Sequence, residues 1–163
     1  MRNRLERTRY SALGLALAAI LLLAACSTTS TTLDDAAKAV PGTPQDFVVS
    51  AGDRVFFETD SAELTPQARA TLDKQVAWLS QYNSYAVLIE GHADERGTRE
   101  YNLALGARRA ATTRNYLASQ GVDASRLRTI SYGKERPVAV CDDISCWSQN
   151  RRAVTVVGAQ GSS

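Results

Sequence analysis

The sequence predicts an α/β sandwich, one mixed sheet with both helices packed on one face. Two observations carry this prediction. Strand-period and helix-period segments alternate from Asp46 onward in the order β-α-β-α-β-β, a pattern that a single sheet backed by helices accommodates. Hydrophobic residues make up 44% and charged residues 22% of the 163, a balance that lets the chain bury a core.

The elements follow in order. Arg54-Val55-Phe56-Phe57 is a short β-rich run. Thr65-Pro66 supplies an N-cap and a proline at the first helical position. Leu72, Val76 and Leu79 then form an apolar helix stripe that Trp78 widens, and Asn83-Ser84 breaks it. Tyr85 to Glu90 is a strand with Val87 and Ile89 on one face. After the loop Gly91 to Arg99, a second helix runs from about Glu100 to Gln120, with Gly121 as its C-cap. Leu127 to Tyr132 is the third strand and Gly133 ends it. Arg152 to Val157 is the fourth, with Val154 and Val156 sharing a face. No internal repeat argues for a solenoid.

Upstream of the sheet the chain reads as an address and a tether. Arg2 to Arg9 is basic, and Ala12 to Ala25 is an uncharged apolar run. That run falls short of the roughly 20 residues a bilayer span needs, so it reads as a secretory signal. Leu23-Ala24-Ala25-Cys26 resembles the lipobox of bacterial lipoproteins. That resemblance implies cleavage before Cys26, a thioether-linked diacylglycerol on its sulfur and an acyl group on the new amino terminus. Ser27 stands where an Asp would signal retention in the inner membrane, so the outer membrane is expected. Ser27 to Gln45, with STTSTT and with Pro41 and Pro44 flanking Gly42, cannot bury enough apolar surface to fold alone. Fully extended it reaches roughly 60 Å, and as a coil roughly 24 Å. The expected divisions are a signal over 1–25, a lipidated Cys and tether over 26–45, the domain over 46–158 and a disordered tail over 159–163.

The formal charge of +2 is concentrated at the start. Arg2, Arg4, Arg7 and Arg9 against Glu6 give +3, whereas the chain from Cys26 onward carries 15 Lys+Arg against 16 Asp+Glu. A near-neutral domain lacks the basic footprint of a nucleic-acid binder. Catalytic patterns are also missing: the sequence holds no Gly-x-Ser-x-Gly elbow, no phosphate-cradling Gly-x-x-x-x-Gly-Lys and no HExxH. His92 is the only histidine, and no second His or suitably placed Cys completes a metal site with it. No metal or cofactor is expected, and the chain reads as a binder, not an enzyme.

The richest chemistry lies in Gly91-His92-Ala93-Asp94-Glu95-Arg96-Gly97-Thr98, followed by Tyr101-Asn102, Leu105-Gly106 and Arg108-Arg109-Ala110. It places a carboxylate at the end of a central strand, where α/β sheets bind ligands, and guanidinium groups on the next helix. An Asp and an Arg held a few ångströms apart suit a zwitterion, the fork taking a carboxylate and the Asp an ammonium. The same spacing also fits an internal salt bridge that fixes the loop to the helix. Arg108 and Arg109 lie about 100° apart on a helix, so the two do not face the same group.

GHADERGTREYNLALGARRA, with SYGKERP at 131–137 and NRRAV at 150–154, resembles the OmpA-like peptidoglycan-binding domain family over about Asp46 to Val157. Together with the lipobox and tether, it is similar to the lipidated branch of that family. The resemblance implies that Asp94 and Arg109 bind the meso-diaminopimelate of the peptidoglycan stem peptide. It further implies that main-chain groups near Phe57 and Glu58 contribute and that Asn102 and Leu105 give support. Glu58 stands where related proteins more often carry Asp, which leaves a backbone contact as its expected part. The resemblance also implies membership of the Tol–Pal system, with TolB as a partner competing for an overlapping surface, and a part in outer-membrane constriction at division. Once Cys26 is acylated, Cys141 and Cys146 remain as an even pair in an oxidising compartment, so a disulfide closing a small loop is expected. Half a zinc site and free thiols are the alternatives.

Overall fold

A computed structural model describes residues 39–159, and Lys38–Ser163 forms a compact unit of its own. The signal, Cys26 and most of the expected tether lie outside the described residues.

The observed order is α1 (Pro44–Asp46), running into a π-helical stretch (Phe47–Ala51), then β1 (Arg54–Phe56), α2 (Pro66–Gln81), β2 (Tyr85–His92), α3 (Arg99–Ser119), β3 (Leu127–Gly133), α4 (Ile144–Asn150) and β4 (Arg152–Ala159). The four strands form one mixed sheet in the order β1-β4-β2-β3. β4 lies antiparallel to both β1 and β2, while β2 and β3 are parallel. The expected α/β class and mixed sheet hold, with helices α2 and α3 on one face.

Residue choice explains the layers. Thr65 caps α2 by accepting from the Ala68 amide, with Pro66 next, and Leu72, Trp78 and Leu79 are buried. Val87 and Ile89 of β2 face them, joined by Ala153, Thr155 and Val157 of β4. Val154 and Val156 do share a face, but it is the open one, where Val156 pairs with Leu88 and stays exposed. Gln75 is a buried polar link, donating to the Gly52 carbonyl at 2.6 Å and accepting from the Thr155 hydroxyl at 2.8 Å.

Three differences from expectation have physical causes. The packed region begins ahead of Asp46: the Gly42 amide donates to the Asp46 carboxylate, the Tyr85 hydroxyl donates to the Gly42 carbonyl, and Trp78 Nε1 donates to Asp46 at 2.8 Å. Phe47 behind them is fully buried edge-on against Trp78. Tether-like composition at Pro41 to Gln45 thus conceals a helix cap. Secondly, α4 lies between β3 and β4, where only a disulfide loop was expected. Asp143 caps it through the Ser145 amide, and the Cys141–Cys146 disulfide is formed at its start. Thirdly, β4 runs to Ala159, one residue into the expected tail.

Candidate functional site

The site forms where β2 hands over to α3. Gly91 of β2 and Gly106 of α3 let the strand and helix touch, since a Cβ on Gly91 would be driven into the Gly106 carbonyl, with its carbon 2.6 Å away. That contact sets the distance between the strand end, which carries Asp94, and the helix face, which carries Arg109. Thr98 caps α3 through the Tyr101 amide. Asn102, 1% exposed, donates to the Arg96 carbonyl at 2.7 Å and so ties the loop to the helix. Leu105 is buried one turn on.

Arg109 is 0% exposed. Its Nε donates to the Ser61 carbonyl at 2.8 Å, Nη1 to the His92 carbonyl at 2.8 Å and Nη2 to the Glu58 carbonyl at 3.1 Å. The Phe57 ring lies 5.3 Å from the guanidinium. Three of its five N–H donors are spent on backbone, which leaves one on each Nη. Burial pulls the Arg109 pKa down to about 10, against the opposing pull of Asp94. It therefore remains a cation at neutral pH.

Asp94 is 7% exposed. The salt-bridge alternative fails in its simple form, because the ion-pair partners of Asp94 are Arg96 at 2.7 Å and Arg151 at 3.5 Å, not Arg109. Burial pushes the Asp94 carboxyl up, but the Arg96 hydrogen bonds and charge, with help from Arg151, leave it below the usual carboxylate range. Asp94 and Arg109 are thus two buried opposite charges, each satisfied separately, at one end of the sheet.

The expected residues are distributed around this pair. The Phe57 side chain is buried, and its carbonyl accepts from Arg151 Nε at 3.1 Å. Glu58 contributes its carbonyl, while its side chain is exposed. Arg108 is exposed and lies 6.0 Å from the Tyr101 ring. Sequence reasoning missed Arg96 and Arg151, although both stood inside the quoted motifs. It also missed the Tyr101 hydroxyl, which donates to Asp60, a residue in the left-handed region at φ 57°. That bond pins the tip of the loop wrapped around Arg109. The His92 ring is 2% exposed with neither nitrogen hydrogen-bonded among the described residues, and it is the carbonyl that serves the site. Among the described residues no group of three or more His, Cys, Asp or Glu is placed to hold a metal.

A mixed four-stranded sheet with two helices on one face and a buried Arg and Asp at the end of β2 defines an OmpA-like α/β domain. A model of the OmpA family matches residues 56–153. The peptidoglycan-associated lipoprotein of Rhizobium meliloti (strain 1021) is 58% identical, over 98% of this chain and 95% of that protein. The crystal structure of the peptidoglycan-associated lipoprotein from Burkholderia pseudomallei, 39% identical, superposes with a TM-score of 0.67 over 71% of this chain and 100% of that one. The C-terminal domain of Helicobacter pylori MotB, 20% identical, shares the fold, with a TM-score of 0.62 over 67% of this chain and 86% of that one. The chain belongs to the OmpA family and, within it, to the peptidoglycan-associated lipoproteins.

Proposed function

We propose that this chain is an outer-membrane lipoprotein whose domain holds peptidoglycan without a covalent bond. In this reading the free end of a stem-peptide meso-diaminopimelate is the ligand: its carboxylate meets the spare N–H groups of Arg109 and its ammonium meets Asp94. Phe57 and the Glu58 carbonyl shape the wall, and Asn102 and Leu105 hold the loop and helix in place. Acylated Cys26 anchors the other end, the tether sets the reach, and the domain faces the periplasm. Tol–Pal membership, TolB as a partner and support of outer-membrane constriction at division belong to the same proposal.

The observation that supports it best is the unspent hydrogen-bonding capacity of a fully buried Arg109 near a buried, ionised Asp94. A closed Asp94–Arg109 pair would leave no Arg109 donor for a ligand, whereas here Asp94 pairs with Arg96 and Arg151 instead. The relatives are named as peptidoglycan-associated lipoproteins, which agrees with peptidoglycan as the polymer bound. Among the described residues no helix is long and apolar enough to cross a membrane.

The test is co-sedimentation of the chain from Ser27 onward with sacculi of the diaminopimelate type. Wild type is expected to pellet, and Asp94→Asn, which keeps shape but loses charge, is expected to stay in solution while still unfolding in one cooperative transition, at a lower temperature because Arg151 loses its buried partner. Purified TolB added first is expected to reduce pelleting. Wild type remaining in solution would overturn the proposal, and Asp94→Asn pelleting fully would move the site elsewhere.

A further inference from the structure

The two halves of the site stand in different states. Arg109 keeps one unspent N–H on each Nη beyond its three carbonyl bonds. The Asp94 carboxylate, in contrast, is fully engaged. Arg96 Nη2 and Arg151 Nη1 reach Oδ2 at 2.7 and 3.5 Å, and Oδ1 takes the Arg96 amide at 3.2 Å and its Nε at 3.3 Å.

The two arginines on Asp94 differ in how they are held. Arg151 is 5% exposed and locked by its bond to the Phe57 carbonyl, so it is a fixed wall of the site. The Arg96 side chain is 41% exposed, and its only hydrogen-bond acceptor among the described residues is Asp94. Its guanidinium lies 4.2 Å from the centre of the Trp147 ring, and the Trp147 indole N–H is itself held by Glu95. The Arg96 backbone is meanwhile fastened by Asn102. The charged end can therefore leave Asp94 without the loop moving, and the indole face keeps a cation nearby.

We propose that Arg96 is a built-in competitor for the ammonium half of the site. It neutralises Asp94 while the site is empty, is displaced when the ammonium of a zwitterionic ligand arrives, and rests against Trp147 while the ligand is bound. This rests on the reading of Asp94 and Arg109 as a zwitterion clamp. It adds a rule of selectivity: only a cation can replace a cation there, because any other group would break the Arg96 bond without answering the Asp94 charge. Arg96 thereby separates free diaminopimelate ends from those whose amine has been acylated by a cross-link.

Isothermal titration of the chain from Ser27 onward at pH 7.5 tests this. The probes are a stem tripeptide ending in meso-diaminopimelate and the same tripeptide N-acetylated on the side-chain amine. Wild type is expected to bind the free amine and to bind the acetylated peptide far more weakly. Arg96→Gln is expected to bind the free amine roughly two- to fivefold tighter, the range of a half-exposed ion pair, and to melt slightly lower, because the free state gives up the same ion pair. Unchanged or weaker binding by Arg96→Gln overturns the competitor while leaving the clamp standing. Equal wild-type binding of both peptides overturns the ammonium subsite and the competitor with it, and wild-type binding of neither overturns the clamp reading itself.

Discussion

Three carbonyl oxygens converge on the guanidinium of Arg109, so this side chain carries structure as well as any ligand. Arg109→Ala strands the Ser61, His92 and Glu58 carbonyls in a buried site and is expected to cost about 3–5 kcal/mol in urea unfolding. A variant as stable as wild type would show that water replaces those donors freely. His92 is the other residue whose surroundings dictate a measurement. Burial, followed by the charges of Arg152, Arg136 and Arg54, lowers its pKa to about 4, and Glu90, 3.6 Å away, is the one carboxylate contact opposing this among the described residues. An unfolded histidine takes up its proton near pH 6.5. Between pH 6.5 and 4 the unfolded chain thus binds more protons than the folded one. The His92 contribution is whole above 6.5, falls as the pH drops toward 4, and amounts to roughly 3 kcal/mol in all. His92→Gln is expected to flatten that part of the stability–pH curve; an equally steep variant would place the acid sensitivity in another group.

At the level of elements, the contact between β2 and α3 is the tightest constraint on the site. Gly91→Ala would press a methyl into the Gly106 backbone, and Gly106 in turn lies against Ser131 and Gly91. Overpacking against backbone is expected to cost about 3 kcal/mol or more, read as a lowered melting temperature together with weaker sacculus binding. A Gly91→Ala protein of wild-type stability would mean that strand and helix slide apart freely. The elements that were legible in the sequence are those with periodic apolar residues and a cap. Thr65-Pro66 announced α2, Val87 and Ile89 announced β2, and Gly121 marked the end of α3. α4 was not legible because its seven residues hold two turns at most, with no stripe to count, and only the Asp143 cap signals it. The site was legible in its motif but not in its pairing. Spacing brings Asp94 and Arg109 together, yet it cannot show that Arg96, two residues from Asp94, and Arg151, far along the chain between α4 and β4, take the carboxylate first. Those contacts depend on how the loop closes over the β1–β4 end of the sheet.

For the molecule as a whole, the folded boundary lies ahead of Asp46 because the first helical turn is tied to Trp78 and Tyr85. A chain beginning at Gly52 loses Phe47 from the core and the Asp46 partner of the Trp78 indole. It is expected to be about 3–5 kcal/mol less stable than one beginning at Ser27, the range for emptying a buried phenylalanine position. Calorimetry of the two chains decides this, and identical transitions would show that Gly42 to Ala51 add nothing to the stability of the domain.

The Gly42–Tyr85 contact has a mechanical consequence. Tyr85 opens β2 and His92 closes it, so the chain enters at one pole of that strand and the site lies at the other, roughly 23 Å away at about 3.3 Å per residue. A pull between the tether and a held ligand runs along β2, which is hydrogen-bonded on both sides, to β3 and β4. Force in that direction shears the two ladders, loading many bonds together where a pull across the strands would open them one by one. In the proposed function the domain is a link in tension, with its strongest axis along the line joining membrane and wall.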